Sequence, residues 1–288
     1  MRHSPLVLVL MLLAVTYCVS VPVISMHGIF SSHKDFDKVD AILNNGRKIF
    51  FPLKVFENTN SLIFPLSYQL DRIRIEIEAI KQANNFTEFD LLCHSQGALL
   101  CRAYVMSTAH TCRNLISLSG PQLGYFGATS ILEKVPFFKN FTRYEAHRFF
   151  YTTLAQSFFS MSNFWVDPFH KEDYFKYNTF MPLYLSKNEV FKSNFLRLKK
   201  AVFLGSSADE VIEPYQSSTF GYWDWNPAYD QYKLIPFHEQ EVFVNDNFGL
   251  KTMSLDGRLV IKEVEEVTHK GWMYNETAFT TYVLPFLD

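Results

Sequence analysis

Ser95 stands in the pentapeptide Cys93-His94-Ser95-Gln96-Gly97, after Phe89-Asp90-Leu91-Leu92 and before Ala98-Leu99-Leu100-Cys101-Arg102-Ala103-Tyr104. The first flank reads as a buried strand and the second as a helix. A serine between small residues at a strand-to-helix turn is the setting of a nucleophile elbow. Such a turn is sharp enough that only small side chains fit two positions either side of the serine. It lifts the hydroxyl over the carboxyl end of a sheet, and the helix behind it offers free N–H groups to a developing oxyanion. The motif ordinarily reads Gly-x-Ser-x-Gly, and here Cys93 takes the place of the first glycine. The competing reading is a serine that merely caps a helix.

A serine nucleophile needs a base and an acid that orients the base. On an α/β frame these follow in the order Ser, Asp or Glu, His. Asp209 comes just after an apolar strand expected over 200–204 and is assigned as the acid. Glu210 is adjacent, and periodicity does not separate the two. His269, in Val267-Thr268-His269-Lys270-Gly271, follows a last strand expected over 258–264 and is assigned as the base. His238 has no strand end before it. Two N–H donors would complete an oxyanion hole: the amide of Gln96, and that of Ile29 in His27-Gly28-Ile29. Gly28 lets the backbone approach closely. His27 precedes the serine and is assigned to shaping its loop.

These residues need a frame. Residues 21–26 read as a first strand, 35–45 as a helix stopped by Gly46, 48–55 as a strand, and 65–83 as a helix opened by Pro65. The Ser95 strand and helix follow, then a short strand over 115–118 closed by Ser119-Gly120-Pro121. A helix is expected from about Tyr274 to Phe286. Alternating strands and helices predict the α/β class, a mostly parallel sheet with helices on both faces. In such sheets the chemistry lies beyond the carboxyl ends of the strands, where His27-Gly28, Ser95 and Ser119-Gly120 all fall. Residues 122–195 break the pattern. They carry many aromatic pairs and read as a largely helical insertion over the strand ends. Most of these rings must be core. Phe158, Phe159, Phe164 and Trp165 are the candidates for walls of an open apolar groove.

The 288-residue chain is 48% hydrophobic and 17% aromatic, with a formal net charge of −2 and no basic block. Phosphate-driven nucleic-acid binding has no support in that balance. Residues 1–20 read as a secretory signal, with an uncleaved anchor as the competing reading: Arg2 and His3, an apolar stretch over 6–15, then small Cys18 and Ser20. The remaining 21–288 read as one domain with no further stretch able to cross a bilayer. Sequons at Asn85, Asn140 and Asn275 agree with secretion. Cleavage leaves Cys93, Cys101 and Cys112, which means one pair and a free thiol, or an intermolecular bond. No cysteine or histidine spacing suggests a metal site.

Taken together, His27-Gly28-Ile29-Phe30, Cys93-His94-Ser95-Gln96-Gly97, Ser119-Gly120-Pro121-Gln122, Thr268-His269 and the run from Asp209 to Ser218 resemble the palmitoyl-protein thioesterases in content and order. Asn163-Phe164-Trp165-Val166-Asp167-Pro168 and Phe248-Gly249-Leu250-Lys251-Thr252 resemble the second, lysosomal type of that family. The resemblance covers nearly the whole mature chain. It implies an α/β-hydrolase with a helical insertion, a triad of Ser95, Asp209 and His269, and no cofactor. It implies hydrolysis of long-chain acyl thioesters in the lysosome, reached by the secretory route, with secretion as the alternative destination. It further implies a Cys93–Cys101 disulfide, leaving Cys112 unpaired. The rival expectations are a lipase or carboxylesterase on the same scaffold, and a lipid-binding protein that has lost turnover.

Overall fold

A computed structural model of the chain describes residues 21–127, 142–224 and 233–287. The expected signal segment and Asn140 lie outside the described residues. The described residues form eight strands: β1 (Val23–Met26), β2 (Phe50–Pro52), β3 (Phe89–His94), β4 (Cys112–Leu118), β5 (Lys200–Ser206), β6 (Tyr222–Trp223), β7 (Leu234–Ile235) and β8 (Leu259–Val264). Six of them form one sheet in the order β2-β1-β3-β4-β5-β8, every neighbouring pair parallel.

The four inner strands β1, β3, β4 and β5 are buried on both faces, which is why they read as largely apolar runs, whereas the edge strands β2 and β8 are only partly buried. Ile24, Met26, Leu91, Cys93, Leu115, Ala201 and Phe203 face one core. Helices Leu66–Asn84, Gln96–Ser107 and Glu189–Phe195 cover that side. Val23, Leu92, Ile116, Leu118, Val202 and Leu204 alternate with them and face the other core. Helices Asp37–Asn45, Gly271–Tyr274 and Glu276–Tyr282 cover that one. In the helix Leu66–Asn84, Leu66, Leu70, Ile73 and Ile77 are spaced to bury one stripe. Each contributes about 1.5–3 kcal/mol by leaving water. The left-handed backbone of Asn85 ends that helix.

Two expectations change. The strand expected over 48–55 is only Phe50–Pro52, an edge strand in which Pro52 has no N–H to pair. The expected final helix is broken into Gly271–Tyr274, Glu276–Tyr282 and a 3-10 turn, Leu284–Phe286. Asn275, extended, interrupts it, and its Oδ1 accepts the Ala278 N–H as the cap of the next segment. The β6–β7 hairpin was not anticipated, because two-residue strands show no alternation.

Between β4 and β5 the described residues hold six short helices and no strand: His147–Phe150, Thr153–Phe158, Ser160–Phe164, Lys171–Tyr177, Met181–Leu185 and Glu189–Phe195. Trp165 packs against Phe150 and Phe126 with ring centroids 5.0 and 5.3 Å apart and is fully buried. No helix among the described residues is long and apolar enough to cross a membrane.

Candidate active site

Ser95 joins β3 directly to the helix Gln96–Ser107, with φ 56° and ψ −129°. A non-glycine residue held there stores about 1–3 kcal/mol of backbone strain, so its surroundings must enforce it. Two glycines allow the close packing. A Cβ on Gly97 would lie 2.5 Å from Met26 O, and one on Gly28 would lie 2.7 Å from Ser95 Cβ. Ser95 N–H is fixed to Leu118 O at 2.9 Å. Cys93 fits the first glycine position because its side chain enters the helix-covered core and is disulfide-bonded to Cys101, with Cα atoms 6.5 Å apart. Cys112 is a free, buried thiol whose pKa burial pushes well up.

The structure separates Asp209 from Glu210. His269 Nδ1 lies 2.9 and 3.0 Å from the two carboxylate oxygens of Asp209. Glu210 instead accepts the main-chain N–H of His269 at 3.0 Å. Asp209 Oδ1 also accepts the N–H groups of Val211 and Ile212, each at 2.9 Å. Burial pushes the Asp209 carboxyl up, but the charge of His269 and the hydrogen bonds from His269, Ser119 and Ile212 outweigh it and hold the pKa below the usual carboxylate value. His269 is therefore oriented by an ionised partner, with Nε2 as its other edge. His238 lies in the 3-10 turn Phe237–Glu239, with its ring against Phe237 and Phe243.

His94 brings the serine and histidine segments together. Its Nε2 donates to His269 O at 2.8 Å, and the two rings lie 4.6 Å apart. Burial lowers the His94 pKa to about 3, so its ring is neutral. No hydrogen bond joins Ser95 Oγ to His269, a contact that commonly tightens only with substrate bound.

The amides of Ile29 and Gln96 have no acceptor among the described residues. Ser61 ties their two segments together. Its Oγ accepts Phe30 N–H at 2.8 Å, and its carbonyl accepts Gln96 Nε2 at 2.9 Å and Ser160 Oγ at 2.7 Å. Ser160 Oγ also lies 2.7 Å from Gln96 Oε1, so the insertion is anchored directly to the elbow. The ring of His27 sits between Gly28 O and Val55 O. Sequence reasoning did not find His94, Ser61, Ser160 or the backbone role of Glu210. Each acts through a contact between distant segments, and no local pattern signals it.

The four proposed groove aromatics divide. Phe164 and Trp165 are 2% and 0% exposed and belong to the core, so they do not form open walls. Phe158 is 55% exposed, and it and Phe159 line an apolar cleft of about 460 Å³ with Ile63, Phe64 and Leu154. Ser61 and Ser160 place this cleft within two residues of the network around Gln96. A larger cavity, about 540 Å³, lies between the insertion and the β6–β7 hairpin, lined in part by Tyr174, Pro182, Tyr222 and Val242. Ser95, Asp209 and His269 do not line it. His147, Asp167 and His170 bring possible metal-binding atoms within 4.8 Å of one another. Their imidazoles stack 3.5 Å apart at 14°, so the in-plane lone pairs lie in two nearly parallel planes, a poor arrangement for both to meet one ion. Both Nδ1 atoms are already engaged, with Tyr144 O and with Asp167.

A family profile for palmitoyl protein thioesterases matches residues 22–269. The chain belongs to the palmitoyl protein thioesterase family. Its relatives include lysosomal thioesterase PPT2-B of Xenopus laevis, 33% identical over the full length of both chains. Lysosomal thioesterase PPT2 of Homo sapiens is 33% identical over 93% of this chain and 88% of its own. The PPT2 homolog of Drosophila melanogaster is 31% identical over 93% and 92%. Family membership fixes the reaction class: the chain is a thioester hydrolase on an α/β-hydrolase frame. At the level of fold alone, it is similar to the mature lipase BlEst2 of Bacillus licheniformis. That match has a TM-score of 0.50 and 13% identity, and covers 94% of this chain and 93% of the other.

Proposed function

We propose that this thioesterase releases long-chain fatty acids from acyl thioesters, acyl-coenzyme A or S-acylated peptides, through an acyl-enzyme on Ser95. The observation that carries the reading is the grip of both Asp209 oxygens on His269 Nδ1, beside a serine on a strained elbow. Ser95 Oγ attacks the thioester carbonyl while His269 Nε2 takes its proton. The amides of Ile29 and Gln96 bind the oxyanion. The C–S bond breaks, and the leaving sulfur takes that proton from His269 and departs as the thiol, which returns His269 to its neutral form. Water, deprotonated by His269, then attacks the acyl-serine, and the acid leaves as Ser95 regains its proton. This sequence uses no cofactor.

In this proposal the described parts of the insertion, 122–127 and 142–195, cover the site, and the acyl tail enters the cleft bounded by Ile63, Phe64, Phe158 and Phe159. The lysosomal names of the relatives support a lysosomal enzyme delivered by the secretory route, with residues 1–20 as its signal. Asn85 and Asn275 are exposed, as glycan acceptors must be. The test is a hydrolysis panel of acyl-coenzyme A, an S-acylated peptide and matched oxygen esters. A strong preference for long-chain thioesters is expected. Preference for the oxygen esters would identify a lipase or carboxylesterase instead.

A further inference from the structure

We propose that His94 and Glu210 are positioning residues that clamp the main chain of His269 from both sides. This rests on the reading of Ser95 and His269 as nucleophile and base. The Asp209 contact fixes one ring nitrogen of His269 but leaves the ring free to pivot about it. The direction of Nε2 then depends on where the backbone of residue 269 is held. That residue lies in the loop after β8, where little regular structure constrains it. Glu210 takes its N–H at 3.0 Å, and His94 donates to its C=O at 2.8 Å. The carbonyl can only accept, so His94 Nε2 carries the proton. His94 Nδ1 is buried without a partner. A group left unsatisfied in the interior costs stability, which points to the other nitrogen as the reason for a histidine here.

The clamp has a second consequence. His94 is the last residue of β3 and the immediate neighbour of Ser95. Its one side-chain hydrogen bond crosses 175 positions of sequence to the base. The elbow and the His269 loop therefore move as one unit, and the Ser95-to-His269 spacing is set by main-chain anchors as well as by the triad side chains.

The test uses the full-length secreted protein and four variants. His94→Phe removes the donor and keeps a ring, and His94→Gln keeps an N–H at similar reach. Glu210→Ala removes the acceptor, and Glu210→Gln keeps one. Turnover of palmitoyl-coenzyme A is measured for each at the plateau of its pH profile, with thermal unfolding alongside. Displacement of a catalytic group by about 1 Å costs on the order of 100-fold. His94→Phe and Glu210→Ala should thus lower kcat about 10- to 100-fold while KM changes less than about threefold. The glutamine variants should recover most of that loss. Glu210 is exposed, so its pair decides the matter even where His94→Phe does not fold. Unchanged kcat in Glu210→Ala, or glutamine variants as slow as the deletions at unaltered unfolding temperature, would overturn the clamp. Retained activity in Ser95→Ala would instead overturn the catalytic reading beneath it.

Discussion

Asp209 presents both carboxylate oxygens to His269 Nδ1, at 2.9 and 3.0 Å, while the adjacent Glu210 reaches only the His269 main chain. Asp209→Asn should therefore lower kcat about 10⁴-fold, because the amide favours the wrong imidazole tautomer. Glu210→Gln keeps an acceptor for the same N–H and should cost far less. Steady-state kinetics on one long-chain thioester checks both. The reverse ranking would reassign the acid.

The apolar cleft predicts a chain-length profile. Each buried methylene is worth about 0.8 kcal/mol, so kcat/KM should climb from acetyl to octanoyl to palmitoyl thioesters of one thiol, below micelle-forming concentrations. Phe158→Ser should blunt the palmitoyl advantage and leave stability within about 0.5 kcal/mol, because that ring is largely exposed. Trp165→Ala should instead cost about 3–5 kcal/mol of folding, because that ring is core. A flat chain-length profile would remove the cleft from substrate binding.

Asp90 makes stability depend on pH. Burial raises its pKa from 3.8 to about 6, against the opposing pull of Arg113 and the Asn114 N–H. Because the folded value is the higher one, its stabilisation is complete below the unfolded pKa and is lost as pH rises through about 6. The swing is on the order of 3 kcal/mol. Asp90→Asn cannot ionise, so its unfolding temperature relative to wild type should rise between pH 4 and pH 7. A difference that does not change with pH would contradict this. His94 acts in the opposite sense: its pKa is lowered to about 3, so its contribution declines as pH falls below 6.5.

Among the described residues the cysteines predict one thiol, Cys112, silent toward alkylating reagents in the native state. It should react only after unfolding, since burial suppresses its thiolate. Rapid native labelling, or a Cys101–Cys112 peptide in a non-reducing digest, would contradict the pairing.

What sequence reveals here follows the range of the interactions. The inner strands were legible because burial on both faces leaves nearly continuous apolar runs, and the sharp turn at Ser95 was legible because it is a local strand-turn-helix pattern. Asp209 and Glu210 share one strand end. Their roles part only through the turn that directs the Val211 and Ile212 N–H groups to Asp209. His94 was illegible as a partner of His269, because nothing local marks a contact across 175 positions. Exposed Phe158 and buried Trp165 could not be told apart, since helices of five or six residues are too short to display an apolar stripe.

The most direct test of the account is Ser95→Ala, assayed on a palmitoyl thioester, with a fluorophosphonate used to label the wild type. The variant should lose about 10⁴-fold or more in kcat while keeping its unfolding temperature. The labelled wild-type peptide should be the one containing Ser95. A variant that keeps a tenth of wild-type turnover, or a label on another residue, would contradict it.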